Sequence, residues 1–369
     1  MRRVDNRRRI VITRRAAHLA ILGTGAILLL LGTAFAVTSV RAAGQASGPA
    51  GAPLGLAATG LYSDFATRTI DAHNLHYSPQ YPLWSDGAAK QRWIRLPEET
   101  AIDATDPDAW AFPVGTRVWK EFSFNGHRVE TRMMEATEDG DWRFASYVWN
   151  ADESDAVLAP VQGLRDVVVI QPGIRHNIPS VLDCRVCHEG DRVEVLGVSA
   201  LQLSPDRDPN APHAEPPTPD MVDLRSLIRR GLLRAYPPEW GERLPRVEAK
   251  NATIRAALGY LHANCGNCHG PSNPLASLGM ILRHSVAPGA VGEPALATTL
   301  DRTGEFTIPG ATRESSVRLR PGDPTHSTIL VRMSSRNPLH QMPPLGTKLA
   351  DADAIALIRR WILDDLPRE

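Results

Sequence analysis

Hydrophobic positions change rhythm three times along the 369 residues. Ala16 to Val40 is an almost unbroken apolar run. Between 60 and 180 the spacing tightens towards alternation, with β-branched and aromatic residues in Arg92–Leu96, Thr116–Phe124, Val129–Glu135, Trp142–Trp149 and Val167–Ile170. These segments read as strands, and Asp139-Gly140-Asp141 between two of them is a hairpin signal. From 250 onward the period becomes helical. Ile254, Leu258, Leu261 and Cys265 share one face, as do Ala354, Leu357, Ile358, Trp361 and Ile362, with Asp351 or Asp353 suited to start the last helix. In between, Ser204–Asp220 is rich in Pro and Asp and reads as an extended linker. Met221–Tyr236 then resumes helical spacing through Leu224, Leu227, Ile228 and Leu232. The pattern predicts a multidomain chain: a mainly antiparallel β domain over 60–180, an intermediate segment over 181–249, and an all-α C-terminal domain over 250–369.

Charge sharpens the reading of the first segment. Residues 1–43 hold eight arginines against a single acid, Asp5, ahead of and around the apolar run. Small residues follow at Ala42-Ala43-Gly44. This is the layout of an export signal cleaved after Ala42; the run 16–40 is also long enough to remain as a membrane anchor. Residues 44–59 then serve as a flexible linker, and the rest of the chain is expected outside the cytoplasm, in the periplasm. No cysteine lies near the cleavage region, which excludes a lipoprotein anchor. The remaining chain has 33 basic and 40 acidic residues, a net of −7. Without a basic run, nucleic-acid binding is not expected.

The four cysteines carry the chemistry. They fall into Cys184-Arg185-Val186-Cys187-His188 and Cys265-Gly266-Asn267-Cys268-His269, and none is left over. Both are C-x-x-C-H, the attachment signature of c-type haem. Two thiols three residues apart share a helical face and can reach the two vinyl groups of one haem. The histidine that follows then sits where it can ligate the iron. Zinc sites also use cysteine pairs, but they do not need a histidine at the same offset twice. A redox C-x-x-C needs a βαβ setting that this pattern lacks. The expectation is two covalently bound haem c groups, with His188 and His269 as iron ligands.

The C-terminal region resembles class I cytochrome c, in which the first and last helices cross beside the haem. Gly259-Tyr260 matches the small and aromatic residues at that crossing, and Trp361 is a suitable facing partner. Gln341-Met342-Pro343-Pro344-Leu345-Gly346 is similar to the methionine loop of the same family. A lone methionine is usually core filler. Here the proline-rich restraint and the position before the last helix make Met342 the expected sixth ligand of the second haem, ahead of Met280, Met333, His326 and His340. For the first haem, His176, His213, Met133, Met134 and Met221 are all open as distal ligands, as is none.

The whole layout, from about residue 60 to the end, resembles a largely uncharacterised family of bacterial di-haem c-type cytochromes. Its members join a Y-P-L-W-S-D-G-A-x-K-x-R-W module, here Tyr81 to Trp93, to F-P-V-G-T (Phe112 to Thr116), E-T-R (Glu130 to Arg132) and W-N (Trp149-Asn150). Two C-x-x-C-H motifs and a terminal M-P-P-L-G follow. The resemblance implies haem binding and electron transfer; it supplies no substrate. The block Tyr81–Gly87, followed by Lys90, Arg92 and Trp93, reads either as the lining of a docking or binding site or as a structured turn beside a strand. The functional expectation is an electron-transfer protein rather than a catalyst, exchanging electrons with an exported dehydrogenase or respiratory-chain components. The alternative is a di-haem peroxidase-like enzyme with an open first haem.

Overall fold

A computed structural model describes residues 48–290 and 292–366. The export signal or anchor read over 1–43, including the apolar run 16–40, lies outside the described residues. Among the described residues no helix is long and apolar enough to cross a membrane.

A short antiparallel pair, β1 (Tyr62–Asp64) and β2 (Thr69–Ile70), precedes the main sheet. That sheet has six strands, all antiparallel: β3 (Leu75–His76), β4 (Ala89–Arg95), β6 (Arg117–Phe124), β7 (His127–Ala136), β8 (Trp142–Trp149) and β9 (Ala156–Leu158), in that order. β5 (Ile102–Asp103) stands apart and pairs in parallel with β12 (Leu233–Arg234), while β10 (Leu164–Gln171) and β11 (Ile174–Ile178) form a separate hairpin. Asn125 and Gly126, with φ of 52° and 82°, make the two-residue turn between β6 and β7. Both are residue types that accept a left-handed backbone, which this turn needs to follow the sheet's twist.

Side chains alternate across the sheet, and both faces are covered. On one face Ile94, Val118, Met134 and Phe144 stand opposite one another and join a core with Leu224, Leu227, Leu203 and Trp240. On the other, Trp93, Trp119, Met133, Ala145 and Tyr147 pack against Leu56, Leu61 and Tyr62.

Six α-helices follow among the described residues: α1 (Val181–His188), α2 (Leu224–Arg229), α3 (Ala252–Asn264), α4 (Pro294–Thr299), α5 (Thr328–Ser334) and α6 (Ala352–Arg360). Asn251 caps α3 by accepting from the Ile254 amide (3.0 Å), and Asp351 caps α6 by accepting from Ala354 (3.1 Å). Each cap satisfies an amide that has no partner within its helix. α3, α5 and α6 meet in a core that contains Leu258, Leu261, Leu330, Ile358 and the fully buried Trp361.

The expected all-α, class I cytochrome c-like C-terminal domain is not what the chain forms. The architecture is dominated by antiparallel sheet, and its helices are few and short. Between α3 and α6 the described residues form only two short α-helices, α4 and α5 of six and seven residues, and two 3-10 turns along a long irregular path. The cause is compositional: ten prolines and nine glycines fall between Gly266 and Gly346. Proline removes a helical donor, and glycine loses more entropy than any other residue on entering a helix.

The Tyr81–Gly87 block joins the sheet to this region. Tyr81 leaves the strands and belongs to the α3/α6 core. Gly259 makes room for it, since a Cβ there would overlap the Tyr81 ring. The Trp84 amide donates to Asn264 Oδ1 (2.7 Å), and its indole donates to the Leu349 carbonyl (3.2 Å). The Asp86 carboxylate accepts from the amides of Lys348 and Leu349, each at 2.8 Å. Here the block is a seam between two parts of the fold.

Candidate functional site

The two cysteine motifs are positioned differently. Cys184, Cys187 and His188 lie inside α1, which opens with a reciprocal cap: the Asp183 amide donates to Ser180 Oγ (3.1 Å) and the Ser180 amide to Asp183 Oδ2 (2.9 Å). This fixes the helix start only two residues after Pro179. No residue of α1 is fully buried: Cys184, Cys187 and His188 are half-buried, and Leu182 and Val186 are 74% and 51% exposed. The second motif begins where α3 ends. Cys265 closes the helix, and the amides of Cys268 (3.1 Å) and His269 (2.8 Å) fold back onto its carbonyl. Gly266 must be small there, since a Cβ would press on the His262 carbonyl and the backbone of Arg283.

All four thiols are free. Burial pushes Cys184 and Cys187 up to about 11 and Cys265 up to about 12, and raises Cys268 as well. They are therefore thiols at neutral pH. A dithiol redox centre works through a stabilised thiolate, which is the opposite electrostatic arrangement.

Both histidines are held neutral. Burial lowers His188 to about 4, and His188 Nδ1 lies 2.6 Å from the Glu194 carbonyl. A carbonyl can only accept, so Nδ1 carries the proton and Nε2 keeps its lone pair for a metal. His269 is 6% exposed and also lowered to about 4, by burial first and then by Arg332 and Arg318. Its Nδ1 is buried and without a hydrogen-bond partner. Among the described residues, no group of three or more His, Cys, Asp or Glu converges as a site for a bare ion. A porphyrin supplies four ligands of its own, so one imidazole per motif is the donor set it requires.

The two motifs meet. Asn273 Nδ2, past the second motif, donates to the Gly190 carbonyl beyond the first (2.6 Å) and to the Asn267 carbonyl inside the second (3.1 Å). Beside it Arg283 Nη2 and Asp191 Oδ2 form a buried ion pair at 3.2 Å. Gly270, directly after His269, leaves room for that carboxylate: a Cβ there would overlap Asp191. The approach is close enough for Cys187 to be raised further by Cys268.

Comparison with protein-family models, with curated proteins and with solved structures finds no match. The site is therefore read from its own residues.

Met342 sits in a loop clamped to the end of α5. Its amide donates to the Arg332 carbonyl (3.0 Å), Arg336 donates to its carbonyl (3.4 Å), and Gln341 braces Pro343 and Pro344. Arg332 is also one of the charges acting on His269. Of the weaker candidates, Met333 is buried in the α3/α6 core and Met280 packs against it, His326 pairs with Asp323 (2.6 Å), and His340 stacks edge-on with Phe306.

Candidates near the first motif separate by face. Met134 shares the sheet face that α1 rests on, in the same row as Phe144, whose ring is 5.5 Å from that of His188. Met133 points to the opposite core. His176 Nε2 is engaged by Glu130 (2.9 Å), His213 Nε2 by Asp351 (2.8 Å), and the Met221 sulfur accepts from the Thr218 amide (3.5 Å).

Sequence reasoning did not single out Asn273, Asp191, Arg283, Glu194 or His262. His262 is half-buried beside the second motif and lowered to about 3 by desolvation, with Nδ1 accepting from the His284 amide (3.2 Å). Its place one turn before Cys265 on α3 was the available signal.

Proposed function

We propose that the chain is an exported di-haem c-type cytochrome that passes electrons between redox partner proteins outside the cytoplasm. The observation that carries this reading is the apposition of Cys184–His188 and Cys265–His269 through Asn273 and the Asp191–Arg283 pair. Each haem, attached through its pair of cysteines, supplies one-electron iron chemistry when bound. Electron exchange weakens steeply with distance, so two attachment segments held side by side favour a relay over two separate sites.

The chain's own residues contribute orientation and medium. Glu194 fixes the tautomer of His188 and presents Nε2, while burial keeps both imidazoles unprotonated and ready to ligate. Met342 would complete the second iron, where a thioether raises the reduction potential. Export suits this chemistry, because covalent haem attachment of this type takes place outside the cytoplasm. An exported dehydrogenase and components of a respiratory chain are the partners that such a relay would join.

The test is absorption and electron paramagnetic resonance of the ferric holoprotein, with haem quantified. Two haems per chain, both six-coordinate and low-spin, are expected. A high-spin first haem that binds and turns over peroxide would replace the relay with a peroxidase. Fewer than two covalent haems would overturn the reading outright.

A further inference from the structure

The sheet face under the first motif carries more positive charge than the chain neutralises. Arg92, Lys120 and Arg132 stand directly opposite one another across β4, β6 and β7, and Lys90 lies two residues from Arg92 on the same face. Like charges so placed repel, and burial strengthens the repulsion. Two of the four have a carboxylate. Arg92 Nη1 lies 2.7 Å from Glu215 Oε2, and Arg132 Nη2 lies 2.5 Å from Glu130 Oε1, which His176 shares.

The other two do not. Lys90 is 6% exposed and makes no hydrogen bond or ion pair; Glu215 and Asp351 act on it only at longer range. Lys120 Nζ has the Phe122 ring beneath it, 5.0 Å to the centroid, and no acid partner. Burial and the neighbouring cations push Lys90 down to about 8 and Lys120 well below its ordinary value. Two lysine amines on this face thus lack an acid partner, and an anion beside them would favour their charged form.

The same charges reach the first motif. Lys120 and Arg132 both act on the imidazole of His188, and Arg132 acts on the thiols of Cys184 and Cys187. Phe144, one row along the same face, touches the His188 side.

We infer that Lys90 and Lys120, in the row with Arg92 and Arg132, form a carboxylate site that takes the two propionates of the haem attached at Cys184 and Cys187. The inference rests on the haem reading above. The stoichiometry agrees: two unpaired ammonium groups meet two carboxylates. Each ion offsets the desolvation of the other, which neither could do alone. Dissolved oxyanions share this chemistry, and the experiment separates the two sources.

The full-length holoprotein is compared with Lys120→Met and Lys90→Met/Lys120→Met, with Lys120→Arg as the conservative control and Lys120→Gln if the methionine variant does not accumulate. Haem is counted first. Two haems in the wild type keep the haem reading, and fewer would sink that reading and this inference with it; with two haems present, the variants test this inference alone. In a potentiometric titration one of the two midpoint potentials should fall in Lys120→Met, because an unpaired carboxylate favours ferric iron. The other should stay unchanged, and Lys120→Arg should restore the first. Inorganic phosphate added to the wild type should change neither potential. Unchanged potentials in the double variant would overturn the assignment. So would a phosphate-dependent shift in the wild type that Lys120→Met abolishes, which would give the face to a dissolved anion.

Discussion

Asn273 donates to the carbonyl of Gly190 from 83 residues away along the chain, at 2.6 Å, and with the same nitrogen to Asn267. Neither acceptor is a side chain, so no compensating substitution can replace the amide.

On the di-haem reading proposed above, Asn273→Ala should leave two covalent haems but loosen their approach. The lost hydrogen bonds should cost about 1–2 kcal/mol in chemical denaturation. Magnetic coupling between the ferric haems should weaken in the same sample. A variant with reduced stability and unchanged coupling would make Asn273 a structural residue only.

Gly259→Ala places a methyl group against the Tyr81 ring. Overpacking at a buried site typically costs about 1–3 kcal/mol. The denaturation midpoint should drop, and Tyr81→Leu in the same chain should recover part of it. A midpoint equal to that of the wild type would mean that the ring can move aside.

His262 gives a pH dependence with a definite sign. Folded, it stays neutral down to about 3; unfolded, it takes a proton near 6.5. The unfolded state therefore binds more protons between those values, and stability falls as pH drops from about 6.5 towards 3. Below about pH 5.5 this one group contributes a slope close to 1.4 kcal/mol per pH unit. His262→Gln should flatten the curve of urea midpoint against pH by that amount. Parallel curves for the two proteins would refute the assignment.

Met342→Ala should retain both haems and abolish the near-infrared methionine-to-iron band, lowering the potential of one haem. Persistence of the band would move the ligand to another of the seven methionines.

The strands were legible because alternation of Val, Trp, Phe and Met over eight to ten residues is strong local information, and Arg117–Phe124, His127–Ala136 and Trp142–Trp149 lie where it points. The helices at 252–264 and 352–360 were legible for the same reason. Joining them into a helical domain failed because the prolines and glycines between Gly266 and Gly346 outweigh the two flanking periods. The cation row was invisible because Arg92, Lys120 and Arg132 become neighbours only through strand register, which no local pattern gives. Asn273 and Asp191 are single polar residues in turns, and their partnership exists only once both turns are folded.

Asp86 and Tyr81 have a practical consequence for anyone who shortens the chain. The ring that completes the core around Trp361 and the carboxylate that holds the approach to α6 are both borrowed from the first quarter of the sequence. A fragment cut to carry only the second C-x-x-C-H motif would begin with an empty socket over Gly259 and two uncapped amides at Lys348 and Leu349. Any minimal version of that motif has to bring the peptide from Tyr81 to Gly87 with it, as a graft or as a second chain.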